Sequence, residues 1–287
     1  MKKKIIAVIL ALILVLSFSG TVFAQPGEGS HGAKQSLVAL GNSITTGYGL
    51  ERNLLRVSKN AYPQLLGDEM GYRVNNLAVS GWTSQDLLDT LQNKNRYRIA
   101  IKHADLITLN IGGNDVLGYL MEVDFEDPDL DPYDILEEVI ERLIAYYYNL
   151  GFILQEIREI NPEAPILYYG FYNPIDAAHP FSIAFGYDNF NELIWEINNT
   201  ILYVYDEVNL PNPVGECYAE AFDYLYYVDA LTAFETYVST EGDKADLFVD
   251  EVHPSELGQE LLYQAALAVL VEEDLLCGGY LQIAVSN

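Results

Sequence analysis

The chain has 287 residues, half of them hydrophobic, with 42 acidic against 15 basic side chains and a net charge of −27. The apolar content excludes a disordered acidic tail. The charge excludes recognition of nucleic acid, whose phosphates ask for a basic face, and opposes adsorption to an anionic membrane surface.

Residues 1–24 read as a signal peptide. Lys2, Lys3 and Lys4 precede an apolar run from Ile5 to Phe18, and Val22 and Ala24 supply the small residues of a cleavage site. An uncleaved anchor is the rival reading, since residues 5–24 just reach the length of a bilayer span. The small-residue pattern favours cleavage after Ala24, a secreted protein and no stable membrane insertion of the mature chain. Removing three lysines and no acid leaves that chain more acidic still. Residues 25–35 form a Gly-rich, polar lead-in, and 36–287 read as one domain.

Ser36–Leu40 is a short apolar strand ended by Gly41. Asn60–Met70 reads as a helix stopped by Gly71, which suits a left-handed position after the last turn. Val74–Ala78 is a second strand. Ser84–Asn95 reads as a helix with Ser84 as its N-cap and Asp86 in its first turn. Leu106–Asn110 is a third strand. The acidic stretch 122–134 leads into a long helix capped by Asp131, with Pro132 at its first position. Apolar residues from Ile135 to Ile160 recur there at helical spacing, and Asn161-Pro162 stops it. Ile166–Phe171 is a fourth strand, Asp188–Ile201 a helix, Tyr224–Val228 a fifth strand and Ser255–Val271 a closing helix. Continuous apolar strands alternating with helices imply an α/β protein, a parallel sheet of about five strands covered on both faces.

Within the acidic stretch, Asp127, Asp129, Asp131 and Glu138 fall at positions 1, 3, 5 and 12 of a calcium loop. Position 6 asks for a glycine in a sharp turn and is Pro132, which cannot take positive φ. The stretch therefore reads as a solvated loop and helix start, and no metal or cofactor is expected. For Cys217 and Cys277 a disulfide and two buried thiols both stay open. No CxxC pair is present.

Active sites of such sheets gather beyond the carboxyl ends of the strands. Gly41-Asn42-Ser43-Ile44 follows the first strand, Ser80-Gly81-Trp82 the second and Gly112-Gly113-Asn114-Asp115 the third. Asp250-Glu251-Val252-His253-Pro254 lies near the C-terminus. Singly, each has a plain structural reading: an N-cap, a turn glycine, a turn asparagine, a helix entrance. Together they supply what acyl transfer needs. A serine hydroxyl becomes a nucleophile when an imidazole takes its proton, a carboxylate holds that imidazole in the useful tautomer, and fixed donors receive the developing oxyanion.

In this order the four pieces resemble the SGNH hydrolase superfamily, also called the GDSL lipase/acylhydrolase family, from about Ser36 to about Leu270. Ile166–Pro174 (ILYYGFYNP) looks like its secreted bacterial lipase-like branch. The resemblance implies a three-layer αβα, flavodoxin-like fold. It implies Ser43, Asp250 and His253 as catalytic residues. It implies an oxyanion hole of the Ser43 and Gly81 backbone N–H groups and the Asn114 side-chain amide. One departure is Asn42, where the family usually carries Asp; asparagine keeps an acceptor and tolerates turn geometry, so a local change in hydrogen bonding is expected. The other is a second Asp-x-x-His-Pro, Asp176 to Pro180, which puts His179 in competition with His253. The copy at 250–254 precedes Ser255 and a helix carrying Gly258, which matches the family block. His31 lies in the lead-in, and His103 precedes the third strand, at the wrong end.

The implied activity is carboxylic ester hydrolysis by a secreted serine esterase or lipase acting on a small-molecule or lipid ester, lysophospholipids included. Val116, Leu117, Tyr119, Leu120 and Met121, with Phe171, Tyr172, Phe181 and Phe185, are candidate walls of an acyl groove, ordinary packing being the alternative. The net charge disfavours strongly anionic substrates. Two other functions stay open. A shallow polar cleft with exposed aromatics favours removal of acetyl groups from polysaccharide. A non-catalytic glycan- or lipid-binding surface protein has no need of Ser43, Asn114 and His253.

Overall fold

Ser36–Gly41 (SLVALG) is buried from end to end, as a strand with both faces covered must be. It is β1, the second strand of a five-stranded sheet in the order β2-β1-β3-β4-β5, with β2 at Arg73–Asn76, β3 at Leu106–Asn110, β4 at Ile166–Tyr169 and β5 at Leu225–Val228. Every pairing is parallel. This doubly wound order is that of flavodoxin-like folds and places a switch point between β1 and β3, where ligands collect. The computed structural model describes residues 34–275 apart from 55, 125–126, 128–129, 176–186, 207–223 and 241. The leader, nearly all of the lead-in, His31, Asp129, the motif copy containing His179, Phe181, Phe185, Cys217 and Cys277 lie outside the described residues.

Nine helices are described: α1 (Ser43–Thr46), α2 (Tyr62–Met70), α3 (Ser84–Asn93), α4 (Asn95–Lys102), α5 (Gly113–Leu120), α6 (Pro132–Ile160), α7 (Tyr187–Asp206), α8 (Ala230–Thr240) and α9 (Glu256–Glu272). Gly71 ends α2 in the left-handed conformation, at φ +68°. Asp131 caps α6 by accepting from the Tyr133 N–H. Ser255 caps α9 by accepting from the Gly258 N–H. The expected cap of α3 is corrected. Thr83 holds that place, in a reciprocal pair with Asp86, and Ser84 is the first helical residue and fully buried. Both residues carry the hydroxyl that caps a helix, but only Thr83 sits three before an acid that can answer its own N–H. Helices α4, α5 and α8 had no counterpart among the expected elements.

Alternating strand residues feed two cores. Val38, Leu40, Ile107, Leu109, Ile166 and Tyr168 pack under α3, α4 and α6. Leu37, Ala39, Leu106, Leu167 and Tyr169 pack under α2, α8 and α9. Tyrosines are unusually deep here; Tyr146 and Tyr168 satisfy each other's hydroxyls at 2.7 Å inside the first core, which a buried phenol requires.

The long helix α6 does two things. At its end, Asn161 donates to the carbonyls of Ile101 and Ala104, just before β3. Gly112, just after β3, lies so close to the Tyr146 ring that a Cβ would collide with it, and takes φ +108°. Helix and strand therefore run antiparallel, with residues 146 to 161 alongside β3. A 29-residue helix is about 44 Å long against about 17 Å for five strand residues. The excess, from Pro132 to about Leu143, projects beyond the carboxyl ends of the strands. There Ile135, Val139 and Leu143 build a third apolar cluster with Ile175, Ile194 and Leu231. Among the described residues no helix is long and apolar enough to cross a membrane.

Candidate active site

In the sheet, Gly41 of β1 lies opposite Asn110 of β3. Two residues on along each chain come Ser43 and Gly112, so the serine block and the asparagine block start from adjacent rows at the switch point. Asn42 caps α1 by accepting from the Ile44 N–H at 3.0 Å. The family's usual Asp is thus replaced by a residue that keeps the needed acceptor.

Gly81 sits third in a Val79–Trp82 turn closed by a 3.2 Å bond from the Trp82 N–H to the Val79 carbonyl. Its φ of +87° is the value a type II turn demands there. The space a Cβ would enter is open, so conformation, not crowding, asks for glycine. A hydroxyl bond between Thr46 and Ser80 (3.0 Å) holds this turn against α1. Asn114, in the first turn of α5, donates to the Trp82 carbonyl at 2.8 Å, leaving its second amide hydrogen for another acceptor. Asp115 accepts from the Ser84 N–H at 2.9 Å and from the Ser84 hydroxyl. Burial raises the Asp115 carboxyl above its ordinary range, and the Ser84 bonds pull against that rise. The second and third blocks are therefore laced together through Trp82 and Ser84.

The fourth block is a tight loop. Asp250 Oδ1 accepts from the N–H groups of Val252 (3.0 Å) and His253 (2.8 Å). Its Oδ2 lies 2.8 Å from His253 Nδ1. An ionised carboxylate only accepts, so Nδ1 carries the proton and Nε2 is the nitrogen left for chemistry. Burial pushes the Asp250 carboxyl up, but the two backbone bonds and the His253 ring outweigh it and hold it below its usual range.

Ser43, Asn114, Asp250 and His253 line one cavity of about 690 Å³. So do Val116, Leu117, Leu120 and Met121 after the third block, and Phe171 and Tyr172 after β4. Tyr119 packs into the adjoining apolar cluster instead. Gly81 is not part of the lining. The charged residues among those lining it are Asp250 and Glu251, both acidic. Among the described residues no group of three His, Cys, Asp or Glu is placed to hold a metal ion. Of the calcium-loop candidates, Asp131 is spent on the α6 cap and Glu138 on an ion pair with Arg142 at 2.7 Å.

The model of the GDSL-like Lipase/Acylhydrolase family matches residues 39–261, most of the chain. The chain belongs to this family. The protein YpmR of Bacillus subtilis, described as uncharacterized, is 31% identical over 183 residues, covering 61% of this chain and 68% of its own. Solved structures of low sequence identity share the fold. The lipase Lip_vut3 from a goat rumen metagenome superposes with a TM-score of 0.55 at 21% identity, over 82% of this chain and 97% of its own. Axe2, an acetylxylan esterase from Geobacillus stearothermophilus, gives 0.51 at 21% identity, over 83% and 95%. Family membership makes the protein an ester hydrolase of the lipase/acylhydrolase type.

Several residues that position this GDSL-type site carry no local signal. Tyr172, three residues past β4 and expected above only as a groove wall, donates its hydroxyl to the Val252 carbonyl at 2.7 Å, 80 residues away. Burial, reinforced by the Asp250 charge, pushes its phenol up, so it stays a donor. The Tyr48 ring lies 4.6 Å from the His253 ring, centroid to centroid, a packing contact that restrains the imidazole. Asn198 grips the Phe171 backbone with both ends of its amide. Gln259 is fully buried in α9. It accepts from the Tyr62 N–H at 2.8 Å, capping α2 where Ala61 cannot, and donates to the Ile44 carbonyl at 3.0 Å. Gln259→Leu keeps the volume but strands the Tyr62 N–H, while the Ile44 carbonyl keeps its bond from the Gly47 N–H at 3.1 Å. A loss of about 1–3 kcal/mol, the cost of one buried group left unpaired, is expected in urea denaturation. An unchanged midpoint contradicts the tie.

Proposed function

We propose that this protein is a secreted serine esterase or lipase whose Ser43 attacks the carbonyl of an uncharged acyl ester. His253, oriented by Asp250, takes the hydroxyl proton and returns it to the leaving alcohol. Water, activated by the same imidazole, then frees the acyl group from Ser43. The tetrahedral oxyanion is received by the N–H groups of Ser43 and Gly81 and by the spare amide hydrogen of Asn114. The observation that carries this reading is the union of Ser43, Asn114 and the Asp250–His253 pair on one cavity wall.

The cavity's lining is dominated by aliphatic side chains from α5, α6 and α7, with Phe171 and Tyr172 after β4, which favours a lipid-like acyl ester, lysophospholipids included, over polysaccharide acetate. The acidic pair at its mouth disfavours anionic substrates by like-charge repulsion. Export rests on the N-terminal sequence pattern.

The test is hydrolysis of p-nitrophenyl acetate, butyrate and decanoate by the mature protein, with labelling by an alkyl phosphonate and mapping of the modified residue. Turnover with the label on Ser43 is expected. Absence of both from a folded protein leaves a non-catalytic binding protein in its place. Asn114→Ala removes one oxyanion donor and is expected to lower kcat by about 10²–10³-fold. KM is expected to change little, because the donor acts on charge that exists only in the transition state. A loss confined to KM contradicts the oxyanion role.

A further inference from the structure

Resting on the ester-hydrolase reading above, we propose that the projecting half of α6 acts as a ruler for the acyl chain and selects groups of about eight to twelve carbons. Tyr146, against Gly112, marks the level at which β3 ends and the Ser43 and Asn114 blocks begin. Beyond that level Leu143, Val139 and Leu136 line the cavity in successive turns. The rise from residue 146 to residue 136 is about 15 Å at helical pitch. A zigzag of single bonds near 1.5 Å advances about 1.25 Å per carbon, so the wall matches about twelve carbons at its full length. Val139 and Leu143 are buried, and Ile194 of α7 joins the same apolar cluster.

The acyl side, and not the alcohol, enters this space. A carbonyl whose oxygen faces Asn114 starts its chain at the first turn of α5, and α5 continues along the cavity towards α6 through Val116, Leu117 and Leu120. The alcohol must leave beside His253, which returns its proton, and that loop is the exposed, acidic end: Asp250 and Glu251 are both exposed. The same two acids repel the carboxylate product once the chain is free.

The experiment measures kcat/KM for p-nitrophenyl esters from acetate to palmitate, and for ethyl decanoate against its isomer decyl acetate. A buried methylene is worth at most about a fourfold gain. A rise of about 100-fold or more from acetate to the eight-to-twelve-carbon esters is expected, then a fall at palmitate, with ethyl decanoate the faster isomer. Leu136→Trp, at a half-buried site, lowers the decanoate-to-butyrate ratio about tenfold. Leu143→Trp moves the optimum to shorter chains still, with thermal melts confirming that each variant is folded. A flat profile, an optimum at acetate, a faster decyl acetate or an unmoved ratio in Leu136→Trp overturns the ruler while leaving the esterase reading intact. No turnover of any ester overturns that reading instead. Calorimetric binding of dodecan-2-one against butan-2-one then decides chain selectivity on its own: equal affinities reject it.

Discussion

Ser43→Ala is expected to lower kcat on p-nitrophenyl butyrate by about 10⁶-fold, and His253→Ala by a similar factor, because nucleophile and base act as one unit. The double variant is expected to fall no further, which separates a shared step from two independent contributions. Ser43 is buried and its change to alanine leaves no backbone group unpaired, so the loss is not one of folding. His179→Ala is the informative control. The sequence offers two Asp-x-x-His-Pro segments, and the geometry described at Asp250 and His253 supports the second as the working copy. Activity kept in His253→Ala and lost in His179→Ala reverses that assignment.

Asp250→Asn carries the second-largest expected effect, about 10⁴-fold in kcat, because the amide no longer fixes the Nδ1–H tautomer of His253. Its pH behaviour has a defined sign. The Asp250 carboxyl is held below its ordinary range by the Val252 and His253 N–H groups and by the His253 ring, against the opposing effect of burial. A carboxyl with a depressed folded value contributes stability above its unfolded value, near pH 4, and loses it as the pH falls through the folded value. The wild type is therefore expected to exceed Asp250→Asn in urea stability by a constant margin at neutral pH, a margin that closes below about pH 4. A margin that instead widens on acidification contradicts the bonding described for the loop.

The fold was legible where periodicity is strong. Continuous strands at Ser36, Leu106 and Ile166, and the helical spacing from Ile135 to Ile160, need no tertiary information. Helix α4 was illegible because its sequence buries little; Ile101 is its single fully buried residue. Helix α5 opens on two glycines, which read as loop, and gains its place from Asn114 and Asp115 reaching to Trp82 and Ser84. The residues placed at the site were legible because each follows a strand or precedes a helix in a short recognisable block. Their supports were not, because Gln259, Tyr172 and Asn198 act on backbone groups 27 to 215 residues away, and no local pattern records such a partner. At Gly81 the turn conformation, φ +87° with open space where a Cβ would sit, is what demands glycine.

Helix α6 belongs to two neighbourhoods at once: Tyr146 to Ile157 sit in the core beneath the sheet, and Ile135 to Leu143 in the cluster beyond it. Its amide protons should accordingly exchange with deuterium in two regimes. Those of the sheet-packed half exchange only through global unfolding. Those of the projecting half exchange through smaller openings that leave the sheet intact. A bulky guest could then be admitted by loosening a few turns of one helix, and the enzyme's capacity to take up substrate and its resistance to denaturation would be separately adjustable within a single continuous segment.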